Sequence, residues 1–370
     1  MLRGVKLTLA VVAAAVFGAA GAEVCPVAGD EKLSAALREL RQKYDVPAIA
    51  GAFVTSKGLE RCAVAGVRKR GTAVAVTTND LWHLGSDTKA MTATLAAVLV
   101  EAGRLKWEAT VAEIFPELAT SLHPATTNIT LKHLLAHRAG LPRDVSWGKF
   151  KQTDVREQRL QLVRELFAKP PETLPGENFH YSNAGYAVIG AMLERVTGQT
   201  WEDAMRERVF RPLGMTSVGY GGLGTPGQLD QPWPHGQKGK PQRENGPAVD
   251  NPPVISPAGR VHCTLQDWGK FIADVLRGVR GEPALLKKST YEMLLTPPFG
   301  GDYALGWGLA YRNWGGGMVL NHCGCNGLYF ANAWVAPLKD FAVLVCLNQG
   351  DDVAFKASDA AAGALLRLRR

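Results

Sequence analysis

The chain has 370 residues, 46% hydrophobic and 21% charged, which is enough apolar material for a large globular core and too much for a disordered chain. Its formal charge of +8 is spread thinly, with dense clusters only at "VRKR" (67–70) and "RLRR" (the C-terminus). That pattern fits a solvated surface and argues against a nucleic-acid partner.

In chain order, Arg3 and Lys6 precede the apolar stretch "LTLAVVAAAVFGAAG", and small residues follow at Ala20-Gly21-Ala22. Basic, apolar and small-residue regions in that order predict a cleaved signal peptide over residues 1–22, with a retained membrane anchor as the alternative. The mature chain, 23–370, would keep 40 basic and 34 acidic residues, a charge of +6, and be periplasmic or secreted. No later stretch is long and apolar enough to span a bilayer.

Leu33, Leu37, Leu40 and Tyr44 recur at helical spacing behind Asp30, a capping residue, and Pro47 closes that helix. "AIAGAFVTS" and "ERCAVAGVRK" around Lys57-Gly58 predict a strand hairpin. Most of 86–215 reads as helical. One helix runs from Ser86 to Glu101 with Met91, Leu95, Val98 and Leu99 on one face. Another follows Asn183, with Ile189, Leu193 and Val196 aligned and Gly198 as the stop. Residues 221–255 carry 14 Gly or Pro and no period, which predicts a long irregular loop that is either disordered or shapes a site. Strand patterns return in "ALGWGLAY", "MVLNHCG", "LYFANAWVAP" and "DFAVLVCLN", and the alanine-rich "FKASDAAAGALLRL" predicts a last helix. Strands at both ends with helices between them predict one sheet assembled from both termini and an inserted helical lobe.

Six cysteines, all in the mature chain, are too few for a disulfide scaffold. Cys25 and Cys62 form the first pair to test. His133 and His137 are four apart on an expected helix, but no third ligand or zinc-protease motif accompanies them, so no metal and no cofactor is expected.

Ser-x-x-Lys occurs twice, as Ser86-Asp87-Thr88-Lys89 and as Ser146-Trp147-Gly148-Lys149. The first opens an apolar-periodic helix, so Lys89 lies one turn on, and the helix start directs N–H groups toward the serine. The second lies among Pro142, Trp147 and Gly148 and reads as a surface loop. A serine becomes a nucleophile only beside a base and with donors for an oxyanion. "HYSNAGY" supplies Tyr181-Ser182-Asn183 at a helix start. "VLNHCGCNG" supplies His322-Cys323-Gly324 on a strand, where residues 322 and 324 share a side and Gly324 allows close approach of a substrate.

Ser-x-x-Lys, Tyr-x-Asn and Lys/His-x-Gly in this order resemble the serine beta-lactamase and penicillin-binding protein superfamily, closest to its class C-like branch of esterases and peptidases. The resemblance runs from about residue 31 to 362. It includes "LLAHRAGLP", with Ala139 where serine is usual, together with "FRPLGMTSVGYG" and "SPAGRVHCTLQDWGKF". It implies an α/β (α+β) fold of the beta-lactamase/transpeptidase type, with an antiparallel sheet from both chain ends, flanking helices and an all-helical lobe. The domain would cover 23–370, its sheet part about 30–85 and 256–370, the lobe about 86–220, and the loop 221–255.

The resemblance also implies that Ser86 is acylated and that Lys89 and Tyr181 share its proton, with a desolvated lysine or a depressed tyrosine as base. Asn183 would hold the substrate amide or Lys89, and the N–H groups of Ser86 and Cys325 would form the oxyanion hole. His322 stands where true beta-lactamases carry lysine. Largely neutral at pH 7, it is a weaker partner for an anionic substrate. Cys325 stands where serine or threonine is usual. The expected activity is that of an exported serine hydrolase for a small-molecule or peptide substrate, including cell-wall peptides, with esterase or peptidase action preferred over beta-lactamase. A non-turnover penicillin-binding or sensor module is the alternative. A redox or metal protein built on His322, Cys323 and Cys325 is a further rival.

Overall fold

The computed structural model describes residues 30–369. The expected signal peptide and Cys25 lie outside them, so cleavage and the Cys25–Cys62 pairing stay expectations.

Helix α1 (Glu31–Lys43) starts on Asp30, whose carboxylate accepts from Leu33 N–H at 3.0 Å, and leads into the hairpin β1 (Ala48–Thr55) and β2 (Gly58–Gly66). The two-residue strand β3 (Trp82–His83) precedes α2 (Thr88–Glu101). The lobe then contains α3 (Val111–Ile114), α4 (Leu131–Leu135), α5 (Val155–Phe167), α6 (Asn183–Thr197) and α7 (Trp201–Met205). After β4 (Gly219–Tyr220) come α8 (Ser256–Gly259), β5 (Val261–Cys263), α9 (Leu265–Arg280) and α10 (Lys288–Leu295). The chain closes with β6 (Gly308–Arg312), β7 (Gly317–Cys325), β8 (Phe330–Ala336), β9 (Phe341–Leu347) and α11 (Asp352–Leu368).

The main sheet is antiparallel in the order β2-β1-β9-β8-β7-β6, so the N-terminal hairpin pairs with the last strand of the chain. Alternation along β1 sends Ile49 and Phe53 to one face and Ala48, Ala50, Ala52 and Val54 to the other. The first face packs against Leu33 and Leu37 of α1 and Ala357, Ala361 and Leu365 of α11. The second packs against Trp268, Phe271 and Ile272 of α9 and is continuous with the lobe's core. Both faces are covered, which is why these strands read as apolar runs.

Two sequence readings change here. Helix α2 begins at Thr88, and Ser86 lies in a tight 3₁₀ turn, Gly85–Asp87, just before it. Nor does α2 bury a single face. Met91, Leu95 and Leu99 are buried, but so are Thr88, Lys89, Thr92 and Thr94, because the helix runs through the middle of the molecule. A second sheet of three short strands, β3-β5-β4, joins the lobe to the main sheet. Its two- and three-residue strands are too short to show alternation in sequence. The irregular 221–255 segment is ordered by specific bonds. His235 Nδ1 meets Asn348 O at 2.7 Å, and Pro232 O accepts from Tyr329 OH at 3.1 Å.

Candidate active site

The Leu84–Ser86 turn is built by backbone packing against the free end of β7. Strand β6 pairs with β7 only as far as Gly308–Asn321, so the outer edge of residues 322–325 is uncovered by it. Against the face of β7 here packs the turn Leu84-Gly85-Ser86. Gly85 has φ of +49°, and a Cβ there would lie 2.6 Å from Cys325 N. A Cβ on Gly324 would lie 1.8 Å from Leu84 O and 2.7 Å from Ser86 N. On the side where a Gly324 side chain would point, the space is filled by the Leu84–Ser86 backbone, so the close approach seen at this glycine is that of the turn. The same contact sets the Ser86 and Cys325 amides on neighbouring parts of one rim.

Lys89 is fully buried, and its Nζ has three partners: Ser86 Oγ at 3.0 Å, Asn183 Oδ1 at 2.8 Å and Ala258 O at 2.7 Å. Each partner comes from a different element. Lys89 is one turn along α2 from Ser86, Asn183 opens α6, and Ala258 lies in α8. Asn183 is oriented in turn by Asp144, whose Oδ1 accepts from Asn183 Nδ2 at 3.0 Å. In this arrangement Asn183 holds Lys89, one of its two expected roles. Burial, above all, holds the Lys89 amine well below its ordinary range, with the charge of Asp144 opposing the shift.

The Tyr181 ring lies 4.7 Å from Lys89 Nζ. Burial pushes its phenol above the ordinary tyrosine range, and the hydrogen bond with Ser86 only partly opposes this. A depressed tyrosine is not what this environment makes. The ring is set by a residue whose part the sequence reading missed, His137. His137 is not on α4, which stops at Leu135. Its backbone is left-handed (φ of 56°), and its Nδ1 accepts from Ser182 N–H at 3.0 Å. Its ring contacts those of Tyr181 at 4.3 Å, Tyr303 at 4.9 Å and Tyr186 at 5.1 Å. Burial holds its imidazole well below the usual range, so it is neutral. The available signal was "LLAHRAGLP" itself, which carries part of the resemblance, but its His137 was weighed only for metal binding.

His322 lies on the same side of β7 as the site, with its ring 6.5 Å from that of Tyr181 and its Nε2 3.3 Å from Tyr303 OH. Burial first, then the charge of Lys89, pushes its imidazole down to about 3. Cys323 and Cys325 alternate to the opposite side. Cys323 Sγ reaches Asn332 Oδ1 at 3.4 Å and packs with the α11 layer, while Cys325 is exposed and its Sγ accepts from Gly327 N–H at 3.3 Å. Strand alternation thus keeps both thiols from converging with His322 on one ion. Among the described residues no group of three or more His, Cys, Asp or Glu is arranged around a metal.

The structure brings Ser86, Lys89, Tyr181, Asn183, His322, Gly324 and Cys325 to one place. It leaves the second Ser-x-x-Lys elsewhere. Ser146 caps a short turn, and Lys149 pairs with Glu165 on the surface. A groove of about 680 Å³, lined by Arg312, Trp314, Trp334, Phe341 and Arg367, lies on the α11 side of the sheet and contains none of the site residues.

A serine beside a buried lysine, on an antiparallel sheet with a helical lobe, defines a serine hydrolase or penicillin-binding protein of the beta-lactamase kind. The chain belongs to the beta-lactamase family, whose model matches residues 33–368. It is 30% identical over 342 residues to Penicillin-binding protein 4 of Amycolatopsis lactamdurans, covering 85% of this chain and 84% of that protein. It is 29% identical over 222 residues to an unguisins hydrolase of Aspergillus violaceofuscus, covering 56% of this chain and 38% of that one. Among solved structures it shares its fold with the class C beta-lactamase of Rhodobacter sphaeroides, at a TM-score of 0.70 and 20% identity over 91% of this chain and 99% of that one. It shares it also with the D-alanine carboxypeptidase AmpC of Burkholderia cenocepacia, at 0.70 and 21% over 90% and 98%.

Proposed function

We propose that the protein is an exported serine hydrolase that cleaves an ester or amide carbonyl through a Ser86 acyl-enzyme, with esterase or peptidase action favoured over beta-lactamase. The observation that carries this is the set of partners around Lys89 Nζ. Asn183 Oδ1 and Ala258 O can only accept, whereas Ser86 Oγ can donate. A neutral amine has two N–H bonds and one lone pair. It gives the two N–H groups to the two acceptors and turns the lone pair to the Ser86 hydroxyl. Burial lowers the amine's pKa, which favours that state.

The step then balances as follows. Ser86 Oγ attacks the carbonyl carbon while its proton passes to Lys89 Nζ, and the Ser86 and Cys325 N–H groups hold the oxyanion. Collapse breaks the bond to the leaving alcohol or amine, which takes the proton, with the Tyr181 phenol on its path. Water attacks the acyl-enzyme, releases the acid and restores Ser86. Gly324 would serve by letting the nucleophile turn close on β7. A neutral His322 offers no fixed charge to an anionic substrate, which favours neutral esters and peptides over beta-lactams. Export rests on the leader pattern of residues 1–22.

The second reading, acylation without turnover, is favoured by the name of the 30% identical relative, a penicillin-binding protein. Intact-mass labelling with a serine-reactive phosphonate and a fluorescent penicillin, wild type beside Ser86→Ala, tests both. Adducts lost in Ser86→Ala, with multiple turnovers of an ester, support the hydrolase. A penicillin adduct that persists, without ester turnover, supports the binding module. Equal labelling of both proteins overturns the Ser86 assignment.

A further inference from the structure

The nucleophile turn and the far end of the oxyanion rim meet at one side chain from the irregular segment. The Asp250 side chain is fully buried. Its Oδ2 accepts from His83 Nε2 at 2.9 Å and from Arg260 Nε at 3.3 Å. Its Oδ1 accepts from Asn326 Nδ2 at 2.8 Å and from Asn251 N–H at 2.8 Å. On the other side of the His83 ring, Nδ1 accepts from Gly85 N–H at 3.1 Å. Asn326 Oδ1 accepts from Leu328 N–H at 3.1 Å and Tyr329 N–H at 2.9 Å, closing the turn that follows Cys325. The Tyr329 ring stacks on His83 at 5.6 Å.

We propose that Asp250 is a positioning residue for both halves of the oxyanion hole, acting through His83 on the Gly85–Ser86 turn and through Asn326 on the Cys325 turn. The inference rests on the Ser86 acyl-enzyme reading.

The chemistry of each link is constrained. Because Gly85 N–H donates to His83 Nδ1, that nitrogen must be bare, so the ring's one proton sits on Nε2 and points at Asp250. The carboxylate selects this tautomer, and the tautomer supplies the acceptor that Gly85 needs in its left-handed conformation. Asp250 is held ionised. Burial alone would raise its carboxyl, but the hydrogen bonds from His83 and Asn326 and the charge of Arg260 hold it below the usual carboxylate range. One anion is therefore linked, through His83 to Gly85 beside Ser86 and directly to Asn326 beside Cys325, to the chain next to each amide that would hold the oxyanion. A donor pair aimed at a developing charge depends on being set beforehand, and a small misalignment of one N–H forfeits much of its effect. The arrangement also accounts for an ordered segment among 14 Gly and Pro. The chain from 221 to 255 delivers a single carboxylate to this point.

The test uses the full chain and two variants, Asp250→Asn and His83→Asn. In Asp250→Asn the amide oxygen can take only one donor pair, His83 with Arg260 or Asn326 with the Asn251 N–H, and its NH₂ faces the other pair. In His83→Asn a side-chain oxygen can still accept from Gly85 N–H, but nothing reaches Asp250. For a small neutral ester each variant is expected to lose about 10- to 100-fold in kcat, with KM within about threefold, since the lost alignment matters in the transition state. The second readout is the ratio of kcat/KM for that ester to its thiono analogue, whose sulfur fits poorly between two N–H groups. Wild type is expected to discriminate, and both variants to lose most of that discrimination. Wild-type kcat and wild-type discrimination in the folded variants would overturn the proposal, as would a loss confined to KM. If Asp250→Asn does not fold, His83→Asn decides by the same two readouts. Ser86→Ala separates the failures. If it retains activity, the acyl-enzyme reading falls and the proposal with it. If it is inactive while the two variants match wild type, only the proposal falls.

Discussion

The amine of Lys89 lies 3.0 Å from the hydroxyl of Ser86, out of contact with water, with both other partners obligate acceptors. The relation separates this Ser-x-x-Lys from the one at 146–149, where the lysine is drawn to Glu165 on the surface. Ser86→Ala is expected to lower ester hydrolysis by several orders of magnitude and Ser146→Ala to leave it near wild type, measured as kcat on one neutral ester. Equal losses, or a phosphonate adduct on Ser146, would reassign the nucleophile. The pH dependence has a definite sign. The lysine acts when neutral, so acylation falls as pH drops through its lowered pKa and is level above it. A rate that keeps climbing toward the ordinary amine range, about 10.4, would mean that Lys89 is not the base.

If Tyr181 and Lys89 share one proton path as proposed, the tyrosine enters it as a protonated phenol, since burial raises it. Lys89→Ala and Tyr181→Phe are each expected to slow acylation by about 100-fold or more, and the double variant hardly further, because groups that act as a unit are not additive. Single-turnover acylation rates of all three variants provide the check. Full activity in Tyr181→Phe would remove the phenol from the chemistry.

Much of this site was legible because its parts sit at element starts. Asn183 opens α6 and Ser86 lies in the turn just before α2, and the apolar residues that follow each make the start visible. Gly324 lies on a strand that alternates cleanly. What was not legible depends on contacts made across the chain. His137 sits in a left-handed position after a five-residue helix, where no period operates, and its partners Ser182 and Tyr303 are distant in sequence. Asp250 sits in a segment without pattern, so its link to His83 and Asn326 exists only in three dimensions. The packing of the Leu84–Ser86 turn on Gly324 was not legible for a related reason. A strand glycine announces close approach, but nothing local says whether ligand or backbone will come near.

His322 stays neutral between about pH 6 and 8. Its imidazole is pushed down to about 3 by burial and by Lys89. Wild type is therefore expected to show no histidine step between about pH 6 and 8 in the ratio of kcat/KM for an anionic beta-lactam to that for a neutral ester. His322→Lys adds a cation where the lactam carboxylate would lie, and one charge-assisted hydrogen bond of about 1.5 kcal/mol would raise that ratio about tenfold. A step near pH 6.5 in wild type, or an unchanged ratio in the lysine variant, would show that residue 322 is not set as described.

Asp87, between Ser86 and Lys89, is 2% exposed, and neither of its carboxyl oxygens meets a hydrogen-bond partner beyond its own backbone N–H among the described residues. Burial therefore raises its pKa well above the ordinary carboxylate range, with the nearby Lys89 opposing only in part. The sign of the linkage follows. The folded state keeps a proton that the unfolded chain releases near pH 4, so this group's contribution to stability is whole below that pH. It is lost as pH rises, by up to about 1.4 kcal/mol per pH unit, until the folded pKa is passed. Asp87→Asn has nearly the shape of the protonated acid and no proton to lose. Wild type and variant are thus expected to have similar Tm near pH 4, with the variant pulling ahead as pH rises to 8. Thermal unfolding of both proteins at several pH values measures the difference directly. Parallel curves would mean that Asp87 finds a partner for its charge in the fold, and that the first position after the nucleophile is not held as a neutral acid.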